Sequence, residues 1–168
     1  METIAIYWEK QVKIYGILLK KGLNLLSLQV GEASFHTWQL LLENLKKMPV
    51  QFEHTSFFST EKQAGHLYVI LESGQLAIFQ DHNNLNHDTQ GLQFSFTTTR
   101  IDLIYLHGPH FQERFGILAR AVEPLLANNI DLILTGCAGN SMYLAVPTDQ
   151  GEKSTALLHE TFHTPRVA

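Results

Sequence analysis

The sequence predicts an α+β protein made of two similar units, in each of which helices cover one face of an antiparallel sheet. Two observations lead to this prediction. Over 101–163, apolar runs, turn residues and amphipathic segments follow the order βαββα. Over 23–99 the same order recurs with one further strand at its end. The order βαββαβ is that of a ferredoxin-like unit, so the chain is predicted to contain two such units, the second one strand short.

The first unit is predicted from one clear helix and several strand-like runs. Phe35–Lys47 carries aromatic and leucine side chains at helical spacing, and Pro49 follows it, which is typical of a helix end. The polar stretch Asp81–Gly91 is predicted to be a loop. The full prediction is a strand at Leu23–Val30, the helix at Phe35–Lys47, strands at Val50–Phe58 and His66–Leu71, a helix capped by Ser73, and a strand at Leu92–Thr99.

The second unit is predicted from three short apolar runs separated by turn residues. Gly108 and Pro109 end the first run, and Gly116 opens a helical pattern that Asn128 and Asn129 close. The full prediction is strands at Ile101–Leu106, Ile130–Leu134 and Met142–Val146, a turn at Gly136–Asn140, and helices that begin at Gly116 and at Thr148 or Asp149.

The last third of the chain resembles the ACT domain, and within that superfamily the regulatory half of aspartate kinases. Three segments carry the resemblance: GILARAV at Gly116–Val122, NIDLI at Asn129–Ile133 and ALLHETFH at Ala156–His163. The loop before the helix departs from the aspartate kinase pattern, because His110-Phe111 and Phe115-Gly116 stand where those enzymes usually have Gly-Met and Pro-Gly. The resemblance implies the ACT fold and a regulatory function.

A strand at the front of the chain is available to complete the second unit. Val12–Leu19 has the pattern of a strand. In aspartate kinases one ACT domain is inserted within the other, so the resemblance implies that this strand pairs in the sheet of the C-terminal unit. The predicted units are therefore 22–99, and 100–164 together with 10–20. Tandem domains with a missing edge strand are the alternative, since an open edge invites pairing with another chain.

The resemblance also implies where a ligand would bind. In ACT domains the loop after the first strand, the start of the first helix and the second strand hold the ligand. Backbone N–H groups at the start of a helix suit a carboxylate, and Asp131 or Glu113 could meet an ammonium group, so an amino acid is the predicted ligand. In the alternative, Asp131 faces solvent and Glu113 pairs with Arg114. The candidate ligand-binding residues are Gly108, His110, Phe111, Glu113, Arg114, Phe115, Gly116, Ile117, Ile130, Asp131, Thr135 and Gly136.

Composition indicates a surface that is partly covered. The chain has 168 residues, of which 45% are hydrophobic and 17% are charged. This charged fraction is low for an isolated soluble protein and favours a partner or a second copy, so a homodimer is predicted. Edge strands such as Leu67–Leu71 or Ser141–Val146 could extend a sheet across a two-fold axis.

Charge and hydropathy exclude two classes of partner. The formal net charge of −4, with no basic cluster larger than a lysine pair, argues against nucleic acid. No run reaches the roughly 20 apolar residues of a membrane span, and the N-terminus has no signal-peptide pattern. No membrane partner is expected, and the protein is predicted to be cytoplasmic. The single cysteine, Cys137, excludes an internal disulfide and is interpreted as a small turn residue.

The histidines raise a metal-binding hypothesis. The chain has nine of them, and His107 and His110 form the tightest pair. Zinc needs three or four ligands, and no HExxH or CxxC pattern supports a site around this pair. His159 and His163 are spaced four residues apart on the predicted last helix. Neither a metal site nor a cofactor is predicted, and a His-mediated metal site is kept as a third hypothesis.

No catalytic motif is found in the sequence. It contains no nucleotide-binding glycine loop and no Ser-His-Asp signature, and the kinase catalytic domain that usually accompanies such a module is absent. The prediction is a stand-alone, non-catalytic regulatory protein that binds a small ligand and modulates an enzyme of amino-acid metabolism. The alternative is an interaction module that has lost its ligand, with Phe111 and Phe115 filling the former pocket.

Overall fold

The structure is a computed structural model that describes residues 12–30, 35–59, 65–85, 95–109, 111 and 115–164. The chain divides into two compact units: Gly22–Ile101, here called the central unit, and Met1–Lys21 with Asp102–Ala168, here called the terminal unit. The elements of the described residues are strands β1 (Val12–Lys13), β2 (Gly16–Val30), β3 (Phe52–Ser59), β4 (Gly65–Leu71), β5 (Ser95–His107), β6 (Leu134–Ala138), β7 (Ser141–Pro147) and β8 (Phe162–His163), and helices α1 (Phe35–Lys47), α2 (Leu76–Leu85), α3 (Ile117–Ala127) and α4 (Gly151–Thr161).

The central unit is a sheet with two helices on one face. Its strands lie in the order β3-β4-β2-β5, and β4 is antiparallel to both of its neighbours. Alternate residues of each strand face the same side, and on that side the strands meet α1 and α2. Phe79 of α2 also packs edge-on against Phe96 of β5, with 6.0 Å between the ring centroids. The buried core consists of Leu26, Leu28, Leu41, Leu45, Leu67, Val69, Leu71 and Phe79.

The terminal unit repeats this arrangement with β2, β5, β7 and β6 in that order, and β6 is antiparallel to β7. Two short strands, β1 and β8, pair in parallel, with Val12 opposite Phe162. The Ile14 N–H donates to the His163 carbonyl at 2.9 Å, which continues this pairing. The core between the sheet and helices α3 and α4 consists of Val12, Ile14, Ile104, Leu106, Phe111, Ile117, Ala121, Leu125, Ile130, Met142, Leu144, Val146, Leu158 and Phe162.

The predicted fold class is confirmed: the protein is α+β, with ferredoxin-like units whose helices lie on one face of the sheet, and the N-terminal strand belongs to the C-terminal unit. Two pairs of predicted strands are nevertheless single strands. β2 contains the whole of the predicted strand Leu23–Val30 and also the part of the predicted strand Val12–Leu19 that begins at Gly16. Gly22 lies in its middle at φ 67°, a conformation that glycine adopts without steric cost, so the chain stays in the sheet there. β5 likewise joins the two predicted strands on either side of Arg100.

The strand predicted at Ile130–Leu134 is wrong in position, since β6 begins at Leu134. The residues between α3 and β6 do not form a strand, and Ile130 closes the end of α3. The Ile130 N–H donates to the Leu125 carbonyl at 3.0 Å, and the Asp131 N–H donates to Gln150 Oε1 at 3.0 Å. The turn between β6 and β7 is correspondingly shorter than the predicted Gly136–Asn140.

The helix starts also differ from the prediction. Ser73 lies inside a 3₁₀ turn, where its hydroxyl donates to the Gly22 carbonyl, so it does not cap α2. The N-cap of α4 is Gln150, not Thr148 or Asp149. Several neighbouring polar residues can cap the start of a helix, so the sequence does not decide which of them is the N-cap.

The lengths of two helices change other predictions. α2 continues to Leu85 through part of the predicted loop Asp81–Gly91, of which 86–91 lies outside the described residues. α4 ends at Thr161, so His159 and His163 do not share a helix. Among the residues described, no helix is long and apolar enough to cross a membrane.

The predicted edge strands are interior ones. β4 lies between β3 and β2, and β7 lies between β5 and β6. The suggestion that Leu67–Leu71 or Ser141–Val146 extends a sheet into a second copy is therefore wrong, because both edges of each of these strands are already paired.

His54 is expected to make stability depend on pH. It is half-buried in β3 with Nε2 2.6 Å from Ser56 Oγ, and burial lowers its pKa below the ordinary 6.5. The unfolded chain therefore takes up the proton first as pH falls, so the free energy of unfolding is expected to decrease below a pH of about 6.5. In urea titrations at pH of about 8 and about 5.5, His54→Gln should lose less stability on acidification than the parent protein. Equal losses would show that His54 is not responsible.

Candidate functional site

The start of α3 is one of the accessible places among the predicted ligand contacts that the structure describes. Gly116 is the N-cap residue, with φ 74° in the left-handed region and no hydrogen bond from a capping side chain. A Cβ placed on Gly116 would meet no atom within 4 Å. The first N–H groups of a helix have no acceptor within the helix and form its positive end. This point of the terminal unit is therefore suited to an anionic group.

The two phenylalanines of the preceding loop have opposite environments. Phe115 is fully exposed, at 105% of its reference area, whereas Phe111 is 4% exposed and belongs to the core of the terminal unit. The suggestion that Phe115 fills a former pocket is therefore wrong. Phe111 does fill space, because a Cβ on Gly108 would lie 2.5 Å from its Cε1 atom. Gly108 thus allows the close approach of the Phe111 ring.

Three predicted ligand contacts are packing residues. Phe111, Ile117 and Ile130 are all buried in the same apolar core. Their side chains contact other core residues, so a ligand could reach only the backbone at these positions. The sequence pattern that identified them is the pattern of a helix and a strand facing a core.

The predicted contacts on β6 are engaged with β7. Thr135 Oγ1 donates to the Tyr143 carbonyl at 3.2 Å. Gly136 lies opposite Tyr143, and a Cβ on it would overlap the tyrosine hydroxyl, so the ring lies across the glycine. Thr135 and Gly136 therefore serve the pairing of the two strands.

Asp131 is exposed, as the solvent-facing alternative predicted. Its backbone N–H is held by Gln150, and its carboxylate is at the surface. His110, Glu113 and Arg114 lie outside the described residues. The structure thus leaves Phe115, Gly116 and Asp131 accessible, and uses most of the other candidates for packing or strand pairing.

An acidic residue of β5, Asp102, lies against the start of α4 and was not predicted from the sequence as part of a site. Asp102 is 2% exposed, and a Cβ on Gly151 would overlap its side chain. A carboxylate at the positive end of a helix is stabilising. The available signal was an acidic residue within the apolar run of β5. The start of α4 is therefore already occupied by a carboxylate of the chain itself, whereas no side chain in the described part of the terminal unit caps the start of α3.

An exposed ion pair lies beside this helix start. Lys21 Nζ donates to Glu152 Oε1. The hydrogen bond and charge of Glu152 raise the pKa of Lys21, and those of Lys21 lower the pKa of Glu152. Because both side chains are in water, the pair contributes little to stability.

The predicted metal pair is only partly described. His107 Nδ1 lies 2.9 Å from Ser141 Oγ, and its ring is 5.4 Å from that of Tyr15. His110 lies outside the described residues. No group of three or more His, Cys, Asp or Glu side chains that could hold a metal is found in the described part of the chain. Cys137 is exposed at the level of the whole residue. Neighbouring atoms still shield its thiol partly from water, which raises the pKa of the thiol and disfavours the reactive thiolate.

Comparison with known proteins gives structural matches only. No protein-family model matches the sequence, and the curated protein sequences give no match. The regulatory subunit of aspartate kinase from Thermus flavus superposes with a TM-score of 0.76 at 8% identity, over 90% of this chain and 99% of that one. The subunit from Thermus thermophilus gives 0.75 at 8% identity, over 89% and 99%.

A complete enzyme shares the same arrangement over part of its length. Aspartokinase III of E. coli, solved in complex with lysine and aspartate, gives a TM-score of 0.60 at 16% identity and covers 92% of this chain and 34% of its own. At such low identity the agreement concerns the fold. The chain therefore has the fold of the regulatory domains of aspartate kinases, which its last third resembles in sequence.

Proposed function

We propose that the protein is a non-catalytic regulatory protein that binds an amino acid at the start of α3 and modulates an enzyme of amino-acid metabolism. Two ACT-like units, 22–99 and 100–164 with 10–20, carry this function. The proposal includes self-association as a homodimer and a cytoplasmic location.

The observation that carries the proposal is the contrast between the two helix starts of the terminal unit. At α4 the buried carboxylate of Asp102 lies against Gly151. At α3 no side chain of the described residues caps the helix, and a Cβ on Gly116 would meet none of their atoms within 4 Å. A ligand carboxylate at α3 would take the place that Asp102 takes at α4, where the N–H groups and the helix dipole stabilise negative charge.

The rest of the amino acid would be held by the neighbouring loop. Glu113 is proposed to receive the ammonium group. Asp131 follows the other end of α3, an 11-residue helix about 16 Å long, and its N–H is bound by Gln150 at the start of α4, so its carboxylate is too far from Gly116 to contact the α-ammonium group of the same amino acid. His110 and Arg114 remain predicted contacts. The fold supports an amino acid as the ligand, since the solved aspartokinase III of E. coli with this fold contains lysine and aspartate.

A thermal unfolding screen against the twenty amino acids tests the proposal. A ligand at about 100 times its dissociation constant should add about 2.7 kcal/mol to the stability of the folded state, which is a rise of several degrees. Calorimetric titration of the selected amino acid should then lose its signal in Gly116→Trp, because the indole would cover the helix start.

Gly116→Asn is the matched control. Asparagine tolerates the left-handed conformation better than other side chains and is small, so this variant should retain most of the affinity. Tryptophan has to adopt φ 74° at a greater steric cost than asparagine, so the folded state of each variant is checked by its unfolding temperature without ligand. A ligand that binds Gly116→Trp as tightly as the parent protein would show that the site lies elsewhere.

The alternative function is an interaction module without a ligand. The burial of Phe111, Ile117 and Ile130 favours it, because these residues form a core in place of a pocket lining. A screen in which no amino acid changes the unfolding temperature would favour this alternative. A response to zinc or nickel alone, lost in His107→Ala, would instead support the metal hypothesis.

A further inference from the structure

The last residue of β5, His107, is held by neighbours on both sides. Its carbonyl accepts a hydrogen bond from the Tyr15 N–H at 2.7 Å, directly before β2. On the other side its Nδ1 atom lies 2.9 Å from Ser141 Oγ, at the start of β7. The next residue, Gly108, donates its N–H to the Asn140 carbonyl at 3.0 Å. The chain is therefore anchored to the turn between β6 and β7 at the point where it leaves the sheet.

The anchored residues begin the segment that leads to the start of α3. Gly108 lies against the ring of Phe111, and Phe111 is buried in the same core as Ile117, the first residue of α3. The His107 side chain is exposed, on the opposite side of β5 from the core residue Leu106. The contact between His107 and Ser141 therefore fixes this segment from outside the core.

We propose that the hydrogen bond between His107 and Ser141 is a positioning contact for amino-acid binding, which acts without either side chain contacting the amino acid. This inference rests on the proposed site at the start of α3 and names two residues that set its affinity. Ordering a loop during binding costs free energy, so a loop that is already held in place binds its ligand more tightly. A single hydrogen bond has a net contribution that corresponds to an affinity change of about two- to tenfold.

Calorimetric titration with each of the twenty amino acids that raises the unfolding temperature of the parent protein tests this contact. Ser141→Ala should raise the dissociation constant about two- to tenfold. Ser141→Thr keeps the hydroxyl and should bind like the parent protein. Ser154→Ala is the matched control, because it makes the same chemical change in the same unit at a hydroxyl that donates to the Gln150 carbonyl within α4. Its dissociation constant should equal that of the parent protein, even where its unfolding temperature differs.

A double-mutant cycle assigns the effect to the pair. If the two side chains act through the bond between them, Ser141→Ala together with His107→Ala should raise the dissociation constant no more than the larger single effect. Additive effects, an unchanged dissociation constant in Ser141→Ala, or an equal rise in Ser154→Ala would refute the positioning contact and leave the proposed amino-acid site standing. A parent protein that binds none of the twenty amino acids would refute both the site and this contact.

Discussion

Phe162→Ala is expected to lower the free energy of unfolding by about 3–5 kcal/mol, the cost of truncating a fully buried phenylalanine. Phe162 is 1% exposed and packs in the core of the terminal unit. It is also the residue of β8 that pairs with Val12 of β1. The substitution therefore leaves a cavity at the place where the first described residues join the last ones.

Phe115→Ala is the control for this variant. It makes the same chemical change in the same unit, at a side chain that is fully exposed, so its effect should stay within about 0.5 kcal/mol. Urea denaturation monitored by far-ultraviolet circular dichroism gives both values. Equal effects of the two substitutions would contradict the burial of Phe162 and with it the position of β8.

Gly151→Ala is expected to destabilise the protein by about 1–3 kcal/mol, although alanine is normally favoured over glycine in a helix. The added Cβ would overlap the carboxylate of Asp102 and lie 2.8 Å from its Cβ atom. Because Asp102 is 2% exposed, its side chain cannot move into solvent without breaking the contact with the start of α4.

The cause can be isolated by a double-mutant cycle. In an Asp102→Gly background both the carboxylate and the Cβ atom that the added methyl group would overlap are absent, so Gly151→Ala should cost much less there than in the parent protein. Gly74→Ala is the control, since a Cβ on Gly74 meets nothing within 4 Å and its effect should be small. A Gly151→Ala cost that is the same with and without Asp102 would show that the close approach is not its source.

The helix start used in the proposed site was predictable from the sequence, but the accessibility of the side chains around it was not. The glycine before an apolar helical pattern identified Gly116 as a helix start. The same pattern could not tell that Ile117 and Ile130 face the core and are closed to a ligand. Whether an apolar residue lines a pocket or fills a core depends on what packs against it, and this is decided by residues distant in sequence, such as Phe111.

The sequence by itself determined the order of the four helices and the strand segments between them, the bounds of α1 and the end of α3, because periodicity and turn residues act over a few neighbouring positions. It did not predict β8, whose residues were assigned to the last helix. Only the tertiary structure decided that β2 and β5 are continuous, that β4 and β7 are interior strands, and that Asp102 lies at the start of α4. These features depend on hydrogen bonds and close contacts between segments far apart in the chain, for which local pattern carries no signal.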